Sequence, residues 1–252
     1  MDKQRQLILD QFTRQAIPFS QLHSNDDAQI HQLLIQTAGI ASHDNVLDVA
    51  CGPGLVACEV AKVAAHVTGI DLTPAMVQQA QQRQHSLTLK NMNWVVGDAH
   101  PLPFAESEFS RVISRYAFHH FTHPQAAFAE MLRVCRSGGR VTVCDVFTVT
   151  SEQAALYDCL EKHRDPSHTH AMQLTELNEL FQGLTDIRCE FYQYHVNVDE
   201  LLSRSFPEPG GAESFRQMVE SDIDVDRIGI DANRKKNCLG FAFPIVIMSG
   251  LK

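Results

Sequence analysis

Residues 46–54 form the segment that most constrains the fold of this chain. An apolar run carrying one acid, Asp48, leads through Ala50 and Cys51 into a glycine turn and then into a helical pattern. This order is typical of a strand whose end presents a small ligand to a helix N-terminus. The spacing Gly52-x-Gly54-x-x-Ala57, with Asp71 ending the next apolar run, also fits the dinucleotide-binding fingerprint. The glycines alone therefore leave the ligand open.

Asp48 distinguishes between the two candidate ligands. A carboxylate placed just before the glycine turn repels a pyrophosphate and attracts a cationic amino acid group. S-adenosylmethionine carries an ammonium and a sulfonium and no phosphate, so it suits this position better than NAD. An NAD-dependent oxidoreductase is an alternative that rests on the glycine turn alone.

Four ordered motifs resemble the class I S-adenosylmethionine-dependent methyltransferases, and more narrowly their ubiquinone/menaquinone-biosynthesis type. They are VLDVACGPG at 46–54, VTGIDLTPAM at 67–76, GDAHPLPF at 97–104 and the segment 109–145. The resemblance implies a doubly wound, seven-stranded, mostly parallel Rossmann-like sheet. It also implies S-adenosylmethionine as cofactor, with S-adenosylhomocysteine as product.

The hydrophobic pattern supports the same α/β class. Short β-branched runs alternate with helical patterns from about residue 45 to 147, which predicts parallel βαβ units. We expect strands at 45–50, 66–70, 93–96, 111–114 and 140–146, and helices at 55–64, 74–85 and 124–135. Thr73 is expected to cap the second helix, and Gly138-Gly139 to close the third. By resemblance, an antiparallel final strand at 238–248 lies at the sheet edge.

The length of 252 residues favours a single domain with a substantial core. We divide it into a helical arm at 1–40, a cofactor-binding core at 41–149, a cap inserted after the fifth strand at 150–186, and C-terminal strands and helices at 187–252. The resemblance implies that arm and cap form a lid over cofactor and substrate.

Charge and cysteine usage narrow the function classes. A net charge of −9 with 21 basic residues and no basic run argues against a nucleic-acid partner. Seven scattered cysteines without a C-x-x-C spacing indicate neither a disulfide framework nor a zinc knuckle. No apolar run approaches the roughly 18 residues of a membrane span, and no signal peptide is visible. We expect a cytoplasmic monomer or homodimer that acts on a small molecule.

The resemblance assigns a role to each acid at or just after the end of a strand. Asp48 is expected to bind the methionine ammonium, Asp71 both ribose hydroxyls, and Asp98 the exocyclic amine of adenine. Asp48 as a helix cap and Asp98 as a solvated loop acid are the alternatives. The full set of expected cofactor-binding residues is Asp48, Cys51, Gly52, Gly54, Asp71, Leu72, Met76, Asp98, Ala99, Arg115 and His120.

The catalytic candidates follow the fourth strand, which overlooks the central crevice of such a sheet. His119 and His120 can each act as a general base, since histidine titrates near neutrality; both can instead support the cofactor. In the cap, His168 is a candidate substrate contact, with an exposed loop as the alternative. No further ligand completes a metal site with His168 and His170, so no metal is expected. Phe19 in the arm either covers the bound substrate and cofactor or anchors the core.

Two further alternatives remain open from sequence. The three acids serve binding rather than chemistry, so the chain can also be a protein that binds S-adenosylmethionine without methylating, for example a regulatory subunit. An arsenite-type methyltransferase needs converging thiolates, and Cys51 with Cys58 is the only near pair.

Overall fold

A computed structural model describes residues 3–20 and 25–252 of the protein. Over these residues one sheet runs through the molecule in the order β3-β2-β1-β4-β5-β8-β6, and a short β7 pairs with β8 off this path. The strands are β1 (Asn45–Val49), β2 (His66–Asp71), β3 (Met92–Val96), β4 (Phe109–Arg115), β5 (Cys135–Val146), β6 (Thr185–Asn197), β7 (Asn233–Lys235) and β8 (Cys238–Leu251).

Helices cover both faces of the sheet. They are α1 (Lys3–Ser20), α2 (Asn25–Thr37), α3 (Leu55–Ala61), α4 (Pro74–Ser86), α5 (Pro124–Val134), α6 (Ser151–Arg164), α7 (Leu174–Leu180), α8 (Val198–Ser203) and α9 (Gly211–Asp222), with one 3₁₀ turn at Phe118–His120. No helix in the described ranges has the length and apolarity needed to cross a membrane.

The pairing of the strands confirms the doubly wound, mostly parallel class. β1 pairs in parallel with β2 and β4, β2 with β3, and β4 with β5, while β8 runs antiparallel to β5 and β6. The order of the parallel strands therefore reverses between β1 and β4, which is where such sheets bind ligands. The expected seven-strand path is present, and β7 adds a three-residue eighth strand.

Successive side chains of each strand point to opposite faces of the sheet, and this divides the core into two layers. Val46 packs in the layer that contains α2, α3, α6 and α9, while its neighbour Leu47 packs in the layer that contains α5 and α7. Ile113 and Val112 of β4 divide in the same way. This period of two follows from the pleat of the strands, and it fixes the register that aligns their carboxyl ends.

Three local expectations are wrong. The final strand β8 lies inside the sheet, because β6 pairs along its outer side and takes the edge. The pair Gly138-Gly139 does not close a helix: α5 already ends at Val134, and both glycines lie within β5. The expectation for Thr73 is right in position and wrong in contact: it is the N-cap residue of α4, but its side chain makes no capping hydrogen bond. Instead, Asp71 Oδ1 accepts a hydrogen bond from the Thr73 amide at 2.8 Å.

Candidate active site

A cavity of about 460 Å³ opens at the carboxyl ends of the parallel strands, beneath α1 and beside α6. Its volume lies within the usual range of small-molecule sites. Twelve of the expected site residues line it: Phe19, Asp48, Cys51, Gly52, Asp71, Leu72, Met76, Asp98, Ala99, Arg115, His119 and His120. Gly54 and His168 do not.

The turn after β1 explains why glycine is needed there. Gly52 has φ 53° and Gly54 has φ 75°, a region that disfavours side chains. A Cβ at Gly52 would meet nothing within 4 Å, so the backbone stays open to a ligand. A Cβ at Gly54 would lie 2.8 Å from the Trp94 ring and 3.0 Å from Ala80. Gly54 is therefore a packing position, which corrects its expected place on the cavity wall.

Asp48, the fourth residue of β1, is 1% exposed and lies on the cavity wall. Within the described part of the chain its Oδ2 has no hydrogen-bond partner. Burial raises the pKa of Asp48 to about 8, the charge of Asp71 adds to this effect, and Arg115 opposes it. A buried carboxyl oxygen without a partner is costly, and a cation removes that cost. The position fits the ammonium of S-adenosylmethionine.

Asp71 ends β2 and joins it to the glycine turn. Its Oδ2 accepts a hydrogen bond from the Gly52 amide at 2.8 Å, and its Oδ1 accepts one from Thr73. Burial raises the pKa of Asp71, and these two amides counteract the rise. Each carboxylate oxygen keeps further acceptor capacity for a ligand hydroxyl. We call Asp48 and Asp71, with Gly52, Leu72, Met76, Asp98 and Ala99, the cofactor half of the cavity.

The arm helix α1 reaches across this half. Arg5 of α1 forms an ion pair with Asp98, which follows β3. Gln4 donates hydrogen bonds to the carbonyls of Ser167 (2.6 Å) and His120 (3.1 Å). Phe12 and Phe19, also on α1, line the cavity. The arm thus bridges the cofactor half and the cap, and it covers the space between them.

His119 is held by a buried carboxylate. Its Nδ1 lies 2.6 Å from Oδ1 of Asp145, at the end of β5. Asp145 Oδ2 accepts hydrogen bonds from the amides of Ala117 and Phe118, which fix the carboxylate. Burial raises the pKa of Asp145, but the charge and hydrogen bond of His119, with the amides of Val146 and Phe118, lower it overall. Within the described ranges, the imidazole of His119 forms one hydrogen bond, to Asp145 through Nδ1. Burial opposes a charged His119, but Asp145 raises its pKa overall.

His120 differs from its neighbour in charge. Burial, with the adjacent His119, lowers the pKa of His120 to about 3, so it is neutral near pH 7. Its Nδ1 lies 3.0 Å from the carbonyl of Ser167, which can only accept, so this nitrogen carries the proton. The Phe12 ring packs edge-on against the imidazole at 5.0 Å. The pair of histidines therefore divides into a basic residue and a neutral, structurally fixed one.

His168 stands behind His119 instead of on the cavity wall. The two rings stack with 5.5 Å between centroids, and Asp158 of α6 binds Nε2 of His168 at 2.8 Å. The residue does not line the cavity, which corrects its expected role as a substrate contact. The exposed-loop alternative is also wrong, because His168 is 3% exposed.

The other end of the cavity is formed by the cap helix and the C-terminal strands. We call it the cap half; its lining residues include Tyr157, Glu161, Arg164, Tyr194, Val196, Leu201, Phe243 and Ile245. Its walls are mostly aromatic and aliphatic. The polar groups come mainly from α6.

Metal and thiolate chemistry find no support in the described residues. No group of three or more His, Cys, Asp and Glu side chains within 3–20 and 25–252 is placed to hold a metal ion. Burial raises the pKa of Cys58 to about 12 and that of Cys51 well above its usual value. Both side chains are thus neutral thiols, unlike the thiolates that a soft metalloid needs.

Sequence reasoning missed two functional candidates. Asp145 could have been found, since it ends β5 just as Asp48 and Asp71 end their strands, yet only its contact with His119 reveals a role. Tyr157 is spaced along α6 so that it shares one helix face with Glu161 and Arg164, but the sequence does not show that this face lines the cavity.

Comparisons with known proteins agree with this geometry. Residues 47–143 match a family model described as a methyltransferase domain. An uncharacterised methyltransferase of Bacillus subtilis, YcgJ, is 27% identical over 232 residues, which span 87% of this chain and 89% of that protein. Demethylmenaquinone methyltransferase of Tropheryma whipplei is 30% identical over 119 residues, 47% of this chain and 48% of that protein.

Solved structures show the same fold. The crystal structure of YcgJ superposes with a TM-score of 0.82 at 23% identity, covering 89% of this chain and 98% of that one. A Bacillus halodurans protein gives 0.76 at 23% identity, covering 88% and 97%. At these identities, the shared feature is the class I methyltransferase fold across nearly the whole chain.

Proposed function

We propose that this chain, an S-adenosylmethionine-dependent methyltransferase, transfers the methyl group to an oxygen, carbon or nitrogen atom of a small-molecule acceptor of quinone, phenol or natural-product type. One observation carries the proposal: a single cavity joins the strand-end acids Asp48, Asp71 and Asp98 to the His119–Asp145 pair. A carbon acceptor of the quinone pathway is the narrower candidate, from the sequence resemblance and the demethylmenaquinone methyltransferase relative.

The cofactor half supplies groups that suit each part of S-adenosylmethionine. Asp48 would hold the ammonium, Asp71 the ribose hydroxyls, and Asp98 the adenine amine, with Leu72 and Met76 as apolar walls. When bound, the cofactor supplies an electrophilic methyl on a sulfonium that departs as a neutral thioether. The protein then chiefly has to position the acceptor and remove its proton.

His119 is our candidate for the proton acceptor. Asp145 holds the proton of the neutral imidazole on Nδ1, so Nε2 presents its lone pair. As the acceptor atom bonds to the methyl carbon, its proton passes to Nε2. His120 is a much weaker base because its pKa is about 3. We further propose that the arm and the cap act as the lid that excludes water from this step.

Variants of two histidines test the assignment. We would supply methyl-tritiated S-adenosylmethionine with a panel of phenols, quinols and amines and measure labelled product. His119→Gln should lower kcat about 100-fold or more, the usual contribution of a general base, and leave S-adenosylhomocysteine affinity within twofold. His43→Gln is the matched control, because that side chain is 73% exposed and does not line the cavity.

Other outcomes point to other functions. Binding of S-adenosylhomocysteine without product from any acceptor would favour the non-methylating, regulatory alternative. Binding of NADH in its place would show that Asp48 does not select the ligand as argued, and the proposal would be abandoned.

A further inference from the structure

Helix α6 turns one polar face toward the cap half of the cavity. Tyr157, Glu161 and Arg164 lie at positions i, i+4 and i+7 of this helix, and all three line the cavity. Residues at this spacing share one side of a helix. The proton-transfer scheme above uses none of them, so this face is free to serve recognition.

Tyr157 has an unusual polar atom. The residue is 1% exposed, and its hydroxyl has no hydrogen-bond partner among residues 3–20 and 25–252. Nearly all buried polar groups in proteins are hydrogen-bonded, and an unpaired one costs about 1–3 kcal/mol. Burial raises the pKa of this phenol well above its usual value, and the charge of Glu161 raises it further. The hydroxyl therefore keeps its proton and can donate it in a hydrogen bond.

The position of this hydroxyl places it near the reacting groups. The Tyr157 ring lies 6.1 Å from the His168 ring, centroid to centroid. The His168 ring in turn stacks on His119 at 5.5 Å. A ligand bonded to Tyr157 would thus lie close to the proposed base.

The two charges on the same helix face compensate one another. Arg164 forms a buried ion pair with Glu161, and it also donates to the Ser205 hydroxyl at 3.4 Å. The guanidinium is thus neutralised, and the two other charged residues that line this half, Asp165 and Arg204, carry opposite formal charges, so the cap half offers a ligand no net charge. The remaining walls include the apolar side chains of Leu201, Phe243 and Ile245. The chemistry of this wall favours a neutral aromatic molecule.

We propose that the cap half binds the methyl acceptor, that this acceptor is a neutral aromatic compound with a hydroxyl or carbonyl oxygen, and that the Tyr157 hydroxyl donates a hydrogen bond to that oxygen. The inference rests on the proposed methyl transfer and adds to it the class of acceptor and a residue that selects it. Tyr157 is a recognition residue, whereas the base is His119.

The Tyr157→Phe variant tests the hydrogen bond. With S-adenosylhomocysteine at saturation, we would measure by calorimetry the binding of 2-naphthol, a neutral aromatic probe with one hydroxyl. The variant should bind it about threefold to tenfold more weakly, the range for one neutral hydrogen bond. Its melting temperature should stay equal or rise, because the change removes an unpaired buried hydroxyl and no internal hydrogen bond. A merely structural tyrosine would instead lower the melting temperature.

Two controls accompany this measurement. Tyr192→Phe removes a hydroxyl on β6 that bonds to Gln29 at 3.3 Å, outside the cavity, and should not change 2-naphthol binding. S-adenosylhomocysteine affinity should stay within twofold in both variants.

Charged probes test whether Glu161 neutralises the charge of Arg164. Wild-type protein should bind 2-naphthol at least tenfold more tightly than naphthalene-2-carboxylate or 2-naphthylmethylammonium. Glu161→Gln leaves the guanidinium without its carboxylate, so the preference should shift at least tenfold toward the carboxylate probe. If Glu161→Gln does not fold, the deciding measurements are 2-naphthol binding by Tyr157→Phe and the binding of the three probes by the wild type.

The outcomes separate the two proposals. Equal binding of 2-naphthol by wild type and Tyr157→Phe, no binding of it to the cofactor complex, or tighter binding of a charged probe would each overturn the inference alone. Loss of S-adenosylhomocysteine binding in the wild-type protein would overturn the proposed function first.

Discussion

Ala50 carries backbone strain where β1 meets the glycine turn. Its φ of 56° lies in the left-handed region, and a side chain there costs about 1–2 kcal/mol. Tyr116, just after β4, has the same φ of 56°. Both residues line the cavity on either side of the point where the strand order reverses. Strain of this kind clusters at functional sites, where surrounding structure enforces it.

The variant Ala50→Gly should be more stable than the wild type. Glycine relieves the left-handed strain, but its more flexible unfolded chain cancels about 0.5–1 kcal/mol of the benefit. We expect a net gain of up to about 1 kcal/mol in the free energy of unfolding, measured with urea. Ala50→Val is the opposing control and should lose at least about 1 kcal/mol, since β-branched residues tolerate this region poorly. A less stable glycine variant would contradict the strain argument.

Asp145 should control the pH dependence of turnover. It raises the pKa of His119 above 6.5 despite burial, so the neutral base form accumulates only as pH rises past that value. The kcat/KM of the wild type should therefore increase with pH and then level off. Asp145→Asn should shift this rise to lower pH, because the charge that stabilises the imidazolium is gone. It should also lower the plateau about 10²–10⁴-fold through the wrong tautomer.

Measuring kcat/KM between pH 5 and 9 with the acceptor found in the screen checks both effects. Retained S-adenosylhomocysteine binding shows that the variant is folded. An unshifted profile would remove His119 from the role of base.

The acids of the cofactor half are predictable because Asp48 and Asp71 lie at the ends of their strands and Asp98 follows one, and the carboxyl ends of parallel strands converge. The sequence places His168 wrongly because no sequence rule shows that its imidazole pairs with Asp158 and lies off the cavity wall. Tyr157 was missed for a similar reason: the direction of α6 over the sheet depends on packing between distant segments.

At the level of elements, the buried strands were predictable and the edge was not. β1 is a short run of Val and Leu interrupted by Asp48, and four of its five residues are buried, as in strands covered on both faces. β6 is thirteen residues long, and its first seven residues are exposed. The resemblance gives the outer place in the sheet to β8, and nothing in the mixed sequence of β6 shows that this strand pairs on the far side of β8.

The arm helix α1 should compete with the cofactor at Asp98. Arg5 already pairs with this carboxylate, the proposed acceptor for the adenine amine. Arg5→Ala should therefore raise S-adenosylhomocysteine affinity, by no more than about fivefold, because a pair this exposed is worth at most about 1 kcal/mol. Calorimetry measures the change. Arg14→Ala, an exposed position on the same helix, is the control. Weaker binding in Arg5→Ala would mean that Arg5 contacts the cofactor itself.

On the scale of the whole molecule, the cavity is closed by segments far apart in sequence. Gln4 of the arm bonds to the carbonyl of Ser167 in the cap, and the His168 ring of the cap stacks on that of His119 in the core at 5.5 Å. The fold class follows from local patterns that each βαβ unit repeats. The cofactor half is predictable because its acids lie at the strand ends of these units. The residues that line the cap half are brought there by contacts between distant segments, which the local patterns do not show.

One cluster should make the stability of the molecule depend on pH. His170 lies between Asp158 of α6 and Glu176 of α7, at 2.8 and 2.9 Å, and so fastens the two cap helices together. Hydrogen bonds to Asp158, helped by Glu176 against burial, raise the pKa of His170 to about 9. The stabilisation is complete below pH 6.5, where the unfolded chain also holds the proton, and it is lost as pH rises through about 9.

The His170→Gln variant should remove this dependence. The imidazole is 41% exposed, so solvent screening limits the effect to about 1 kcal/mol. Between pH 6 and 10, the unfolding free energy of the wild type should fall relative to that of His170→Gln, and the two curves should run parallel above pH 9. His85→Gln, at the exposed end of α4, should follow the wild-type curve throughout. If the unfolding free energies of wild type and His170→Gln instead change in parallel over the whole pH range, the ion pairs of His170 do not stabilise the fold. The cap helices would then be held together by apolar packing alone.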